Sequence, residues 1–160
     1  MEDRIQRILD FLFVGAAVEG IRFGAGPQLL LSDSYEAAGR ISGQIYINLS
    51  SGWRVFDTMP GSFPESEPER FHTSREEEWL ALIGLRYKVI ERAFISTGPT
   101  GLVLVFEDGN VFYMYGGDPK YESWTAGVAY SPPGEHWELI CMPGGEIHEM
   151  APDWYKEWRD

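Results

Sequence analysis

Apolar residues recur along this chain with two periods, and the points where one gives way to the other divide it into elements. Ile5, Ile8, Leu9 and Leu12 stand at helical spacing, the stripe of an amphipathic helix. Residues 73–84 give a second helix. There Thr73 with Glu76, or Ser74 with Glu77, has the capping-box spacing, in which a hydroxyl and a carboxylate satisfy free N–H groups. Glu76, Glu77 and Glu78 also suit the positive end of the helix dipole. Gly15 and Gly84 are placed to close the two helices in a left-handed conformation. Elsewhere the period is that of strands. The clearest pair is 101–106 and 110–115, joined through Glu107-Asp108-Gly109, because Asp-Gly between β-rich runs signals a hairpin. Both runs are apolar on both faces, which predicts a hairpin covered on each side or central in its sheet. Asp153 opens a last short helix, with Trp154 and Trp158 on one face.

Blocks of similar sequence recur in the same order. Val18-Glu19 reads against Ile90-Glu91, and Gly26-Pro27 with its leucines against Gly98-Pro99 and 101–104. Downstream, 43–47 reads against 109–113, and Trp53 with its following residues against Trp137. The pattern predicts one α+β domain of two degenerate repeats, at 1–58 and 73–145, each a helix with an antiparallel four-stranded unit. Between them, 59–72 carries Pro60, Pro64 and Pro68 among glutamates and reads as an ordered linker crossing the surface. Residues 146–160 form a C-terminal segment. The second half carries an insertion at 116–135, containing Gly116-Gly117, Trp124 and Pro132-Pro133, and such loops are where binding concentrates.

Composition changes this picture mainly through charge. The 160 residues hold 13 Lys and Arg against 25 Asp and Glu, a net charge of −12. Split before Trp79, the halves carry 7 − 13 and 6 − 12, so each has −6 and no acidic tail is appended. Such a balance argues against nucleic acid as a partner, because counterion release needs clustered Lys and Arg. One cysteine excludes an intrachain disulfide. The apolar run at 8–18 has the look of a signal-peptide core, but Asp10 interrupts it and it is too short to span a bilayer. It reads as folded helix, so a soluble cytoplasmic protein with no membrane partner is expected.

The densest reactive cluster is Glu135, His136, Glu138 and Cys141, followed by Glu146, His148 and Glu149. His136 and Cys141 fall on opposite faces of a strand, and their spacing fits no usual zinc pattern, so no metal is expected. Cys141 with His148 could serve as thiol nucleophile and base in a small hydrolase or ligand-binding enzyme. Yet a lone cysteine between Ile140 and Met142 reads equally as a small core residue. The Gly-Gly pairs at 116–117 and 144–145 belong to no phosphate-binding pattern, and no cofactor is expected.

A helix followed by Gly98-Pro99, the strand 102–106, Glu107-Asp108-Gly109-Asn110-Val111 and then Trp137-Glu138-Leu139-Ile140 resembles small uncharacterised bacterial proteins found near toxin systems, some regarded as immunity proteins. The resemblance covers mainly 84–145. It implies a non-enzymatic protein-binding module, an inhibitor whose acidic surface meets a basic partner. The residues expected to form that surface are Glu65, Glu67, Glu69, Glu76, Glu77 and Glu78, with Trp124, Trp154 and Trp158 as aromatic anchors. A hydrolase around His136, Cys141 and His148 is the alternative, and a homodimer formed through open sheet edges is a third.

Overall fold

The computed structural model describes residues 2–24, 26–68 and 75–159. Helix α1 (Glu2–Phe13) leads into a meander of β1 (Val18–Phe23), β2 (Pro27–Leu31) and β3 (Gln44–Leu49), and β4 (Trp53–Phe56) follows. Helix α2 (Arg75–Ile83) precedes a second meander of β5 (Ile90–Ile95), β6 (Leu102–Phe106) and β7 (Val111–Met114). Then come β8 (Trp124–Ala129), β9 (Glu138–Cys141), β10 (Ile147–Met150) and helix α3 (Asp153–Arg159). The strands form two antiparallel sheets, one of six in the order β1-β2-β3-β8-β9-β10 and one of four in the order β4-β7-β6-β5.

The expected α+β pair of helix-plus-strand repeats is thereby corrected. Among the described residues the fold is predominantly β, with ten strands in two sheets and helices of only 12, 9 and 7 residues. No four-stranded unit closes on itself. Each meander leaves the outer edge of its third strand open, and a strand from the other half fills it: β8 pairs with β3, and β4 with β7. Trp124 stands opposite Leu49, and Trp53 stands opposite Met114. Trp124, not Trp137, therefore occupies the place in its sheet that Trp53 has in the other.

The two meanders also touch at their starts. Ala17 and Val89 form an isolated antiparallel bridge, flanked by Ile90 N–H donating to Ala16 (2.8 Å) and Val18 N–H donating to Lys88 (3.0 Å). Beyond this bridge both strands bulge at a glutamate, Glu19 in β1 and Glu91 in β5. Gly15 takes the left-handed conformation expected of it (φ 86°), but at the end of α2 it is Tyr87 that does so (φ 68°), not Gly84.

Helix α1 lies inside the main core. Ile8, Leu9, Phe11, Leu12 and Phe13 are all fully buried, so the apolar run near the start is, up to Phe13, a core helix buried on more than one face. The reason is its placement: it packs on β5, where Gln6 donates to the Ala93 carbonyl (2.8 Å), while Phe11 stacks on Trp137 at 4.9 Å. From the other end of the chain, Tyr155 of α3 packs on Phe11 (5.0 Å) and its hydroxyl donates to the Arg7 carbonyl (3.0 Å).

A second cluster covers the outer face of the four-stranded sheet. Val103, Val105, Val111 and Tyr113 are buried there beneath the linker, whose Phe63 stacks on Tyr113 at 5.0 Å. The hairpin β6–β7 is thus covered on both faces and central in its sheet, as its unbroken apolar runs predicted. The linker's last described residues dock on the β3–β4 turn. Gly52 N–H donates to Glu67 Oε1 (2.9 Å), and a Cβ on Gly52 would lie 2.6 Å from the Pro68 carbonyl oxygen. Among the described residues no helix is long and apolar enough to cross a membrane.

Candidate functional site

The residues expected to form an acidic contact surface differ in exposure. Glu65 is exposed, whereas Glu67 is half-buried and holds the linker to Gly52. Glu69, with Thr73 and Ser74 of the expected capping box, lies outside the described residues. Glu76 and Glu77 are exposed in the first turn of α2, and Glu78 is half-buried on its inner side.

The aromatic anchors fare differently. Trp124 is fully buried in the main core, so it cannot meet a partner at the surface; its place on β8, inside the sandwich, is the cause. Trp154 is half-buried among Phe11, Trp137 and Tyr155, and its indole N–H donates to Glu135 (2.7 Å), so it docks α3 onto the body. Trp158 belongs to α3, but its side chain lies outside what is described.

The alternative catalytic cluster is not assembled. Cys141 is fully buried, its thiol donates to the Gly116 carbonyl (3.2 Å), and burial pushes its pKa up to about 11, against the smaller opposing effect of a hydrogen bond with Ser123. His136 is exposed beside Glu138 (3.2 Å), and His148 is exposed beside Glu146 (3.3 Å). In the β9–β10 pair His148 stands opposite Ile140, on the sheet face away from Cys141. A thiol kept protonated and turned into the core offers no nucleophile to either imidazole. Among the described residues no three His, Cys, Asp or Glu side chains are placed to hold a metal ion.

Two other surfaces stand out. The first is the outward face of α2. Glu76, Leu80 and Ile83 fall at i, i+4 and i+7, while Trp79 and Leu82 turn inward. Leu80 is 65% exposed and Ile83 52%, so an apolar strip lies in water beside Glu76 and Glu77.

The second surface is a cleft of about 890 Å³ between the β1–β2 hairpin, the β3–β4 turn and α2. Phe23, Trp53 and Trp79 supply its rings. Phe23 meets Trp79 edge to face at 5.0 Å, and Trp53 lies tilted against Trp79 at 6.0 Å. Gln28 and Asn48, paired across β2 and β3, face the same space and are joined by Gln28 Nε2–H donating to Asn48 Oδ1 (2.8 Å). Arg22, Arg54 and Glu78 complete the polar wall. Sequence reasoning missed this cleft because its parts come from three separate segments. One signal was present: in 44–49 the apolar residues alternate with Gln44, Tyr46 and Asn48, which marks a strand with one polar, outward face.

Compared with protein-family models, with curated proteins and with solved structures, the chain matches none of them.

Proposed function

We propose that the chain is a non-enzymatic protein-binding module, an inhibitor of the immunity type, and that it engages a basic partner through the outward face of α2. The observation that carries this reading is the exposure of Leu80 and Ile83 beside Glu76 and Glu77. An apolar centre that water must leave, rimmed by charge that selects the partner, is the usual anatomy of a protein contact. The net charge of −12 adds long-range attraction for a basic protein and repels nucleic acid. The reading places the protein in the reducing cytoplasm, where its single thiol needs no pairing.

The hydrolase alternative has no observation in its favour, given the orientation of Cys141. Edge-to-edge dimerisation is opposed at two of the four sheet edges, since β1 and β5 both bulge and are joined at their starts through Ala17 and Val89.

The test is affinity capture from the native host with the parent protein and with a Leu80→Asp, Ile83→Asp variant. A basic protein retained by the parent, lost with the variant and released by rising salt is the expected result. Equal retention by both proteins, or retention indifferent to salt, overturns the proposal.

A further inference from the structure

The cleft beside α2 is chemically unlike the rest of this acidic molecule. Its volume of about 890 Å³ lies in the range of small-molecule sites. It is open rather than enclosed, and Phe23 leaves 61% of its surface in water there. The edge-to-face contact of Phe23 and Trp79 sets their planes at an angle, so a ligand ring would stack on one of them rather than between them.

The polar wall narrows the ligand. Arg22, Arg54, Gln28, Asn48 and Glu78 all end in planar groups whose donors or acceptors point in fixed directions. The Gln28–Asn48 hydrogen bond holds that pair in place while leaving the Gln28 oxygen and the Asn48 N–H groups outside the bond. Two guanidinium groups oppose a cationic ligand, and Glu78 opposes a bare phosphate. A hydroxyl, being donor and acceptor at once, suits both the Gln28 oxygen and the Asn48 N–H groups. Rings with apolar faces and hydroxyl-bearing edges match the whole wall.

The cleft also continues. Arg22, Gln28 and Asn48 line a second hollow of about 810 Å³ on the outer face of the six-stranded sheet, which ends at Tyr46, Tyr130 and His136. Arg22 spans the two, donating to the Tyr130 hydroxyl at 3.1 Å. A ligand that filled both would be several rings long.

We propose that this groove binds an oligosaccharide, with one sugar ring against Phe23, Trp53 and Trp79 and the next across Gln28 and Asn48. The site is separate from the outward face of α2 and does not depend on the protein-binding reading. It is tested by tryptophan fluorescence and titration calorimetry on the full chain, with cellotetraose, maltotetraose, tri-N-acetylchitotriose and tetragalacturonate as probes. Saturable binding of at least one probe, with a change in tryptophan emission, is expected. Phe23→Ala and Gln28→Ala should each weaken it by about tenfold, and Leu80→Asp should leave it unchanged. Selective binding of tetragalacturonate, lost in Arg22→Gln, would assign an acidic sugar to the same groove. Absence of binding by all four probes at millimolar concentration, or binding unaffected in Phe23→Ala and Gln28→Ala proteins of parent-like circular dichroism, overturns the proposal.

Discussion

The thiol of Cys141 donates to the carbonyl oxygen of Gly116, tying β9 to the segment that leaves β7. The approach depends on glycine, because a Cβ at position 116 would lie 1.5 Å from the Thr100 carbonyl oxygen and 3.0 Å from the sulfur itself. A thiol so enclosed should be inert while the protein is folded. A disulfide reagent at neutral pH is expected to leave Cys141 unmodified in the native state and to modify it fully in denaturant. Fast native-state labelling would contradict the burial.

The same group gives stability a dependence on alkaline pH. In the fold its pKa rises from 9.0 to about 11, so between those values the native thiol keeps a proton that the unfolded chain has lost. The unfolded state then binds fewer protons, and stability falls as pH rises. Tyr113 adds to the trend at higher pH, its hydroxyl being pushed from 10.0 to about 12, first by burial and then by neighbouring Tyr115. The urea midpoint should be lower at about pH 10 than at about pH 8, and Cys141→Ala should shrink that difference.

Trp124 separates packing from hydrogen bonding. It is fully buried, and its indole N–H has no hydrogen-bond partner among the described residues. Trp124→Ala should cost about 3–5 kcal/mol through the cavity it leaves. Trp124→Phe keeps an aromatic ring and removes an unsatisfied donor, so its expected cost is below about 1.5 kcal/mol. Denaturant unfolding of the two variants reads the difference directly.

Gly52 should govern the linker. Alanine there would collide with the Pro68 carbonyl and displace Glu67 from the Gly52 N–H. Faster proteolysis within 57–68 is expected in Gly52→Ala, because Phe63 would lose its anchored position over Tyr113. Tyr113→Phe, which removes only the hydroxyl's bond to the Pro64 carbonyl (3.3 Å), should cost about 0.5–1.5 kcal/mol.

On α2, reversing charge tests the partner's sign. Glu76→Lys with Glu77→Lys should cost about 0.5–2 kcal/mol, because both carboxylates stand in the first turn of α2 at the positive end of its dipole. It should slow association with a basic partner and weaken the salt dependence of that rate.

What could be read from the chain alone was local. Asp108-Gly109 marked the β6–β7 turn, where Gly109 takes φ 90° and Asn110 N–H donates to Asp108 Oδ1 (2.9 Å). The stripe beginning at Ile5 marked α1, and Thr73–Gly84 bracketed α2. Long-range pairing was not legible. Nothing near Gln44 says that its strand partner is Ala129, or near Trp53 that its partner is Met114, because an open strand edge accepts any chain of suitable alternation. The misplacement of Trp124 has the same origin: β8 is a central strand of its sheet, but 116–135 looked like a divergent loop. The ligand cleft stayed hidden for a related reason, since Phe23, Trp53 and Trp79 become neighbours only once three separate segments are in place.

The crossing of β4 and β8 between sheets fixes how the molecule can be made. As the chain emerges during synthesis, β3 is complete long before its partner β8 exists, and β4 must wait for β7. The first half therefore holds unmatched strand edges until β8 has been made, which makes assembly a late and concerted event. Severed within the linker, the protein would yield two pieces that each lack strands the other carries. Mixed together, those pieces have a structural reason to find one another, and the mixture would recover what neither fragment can build.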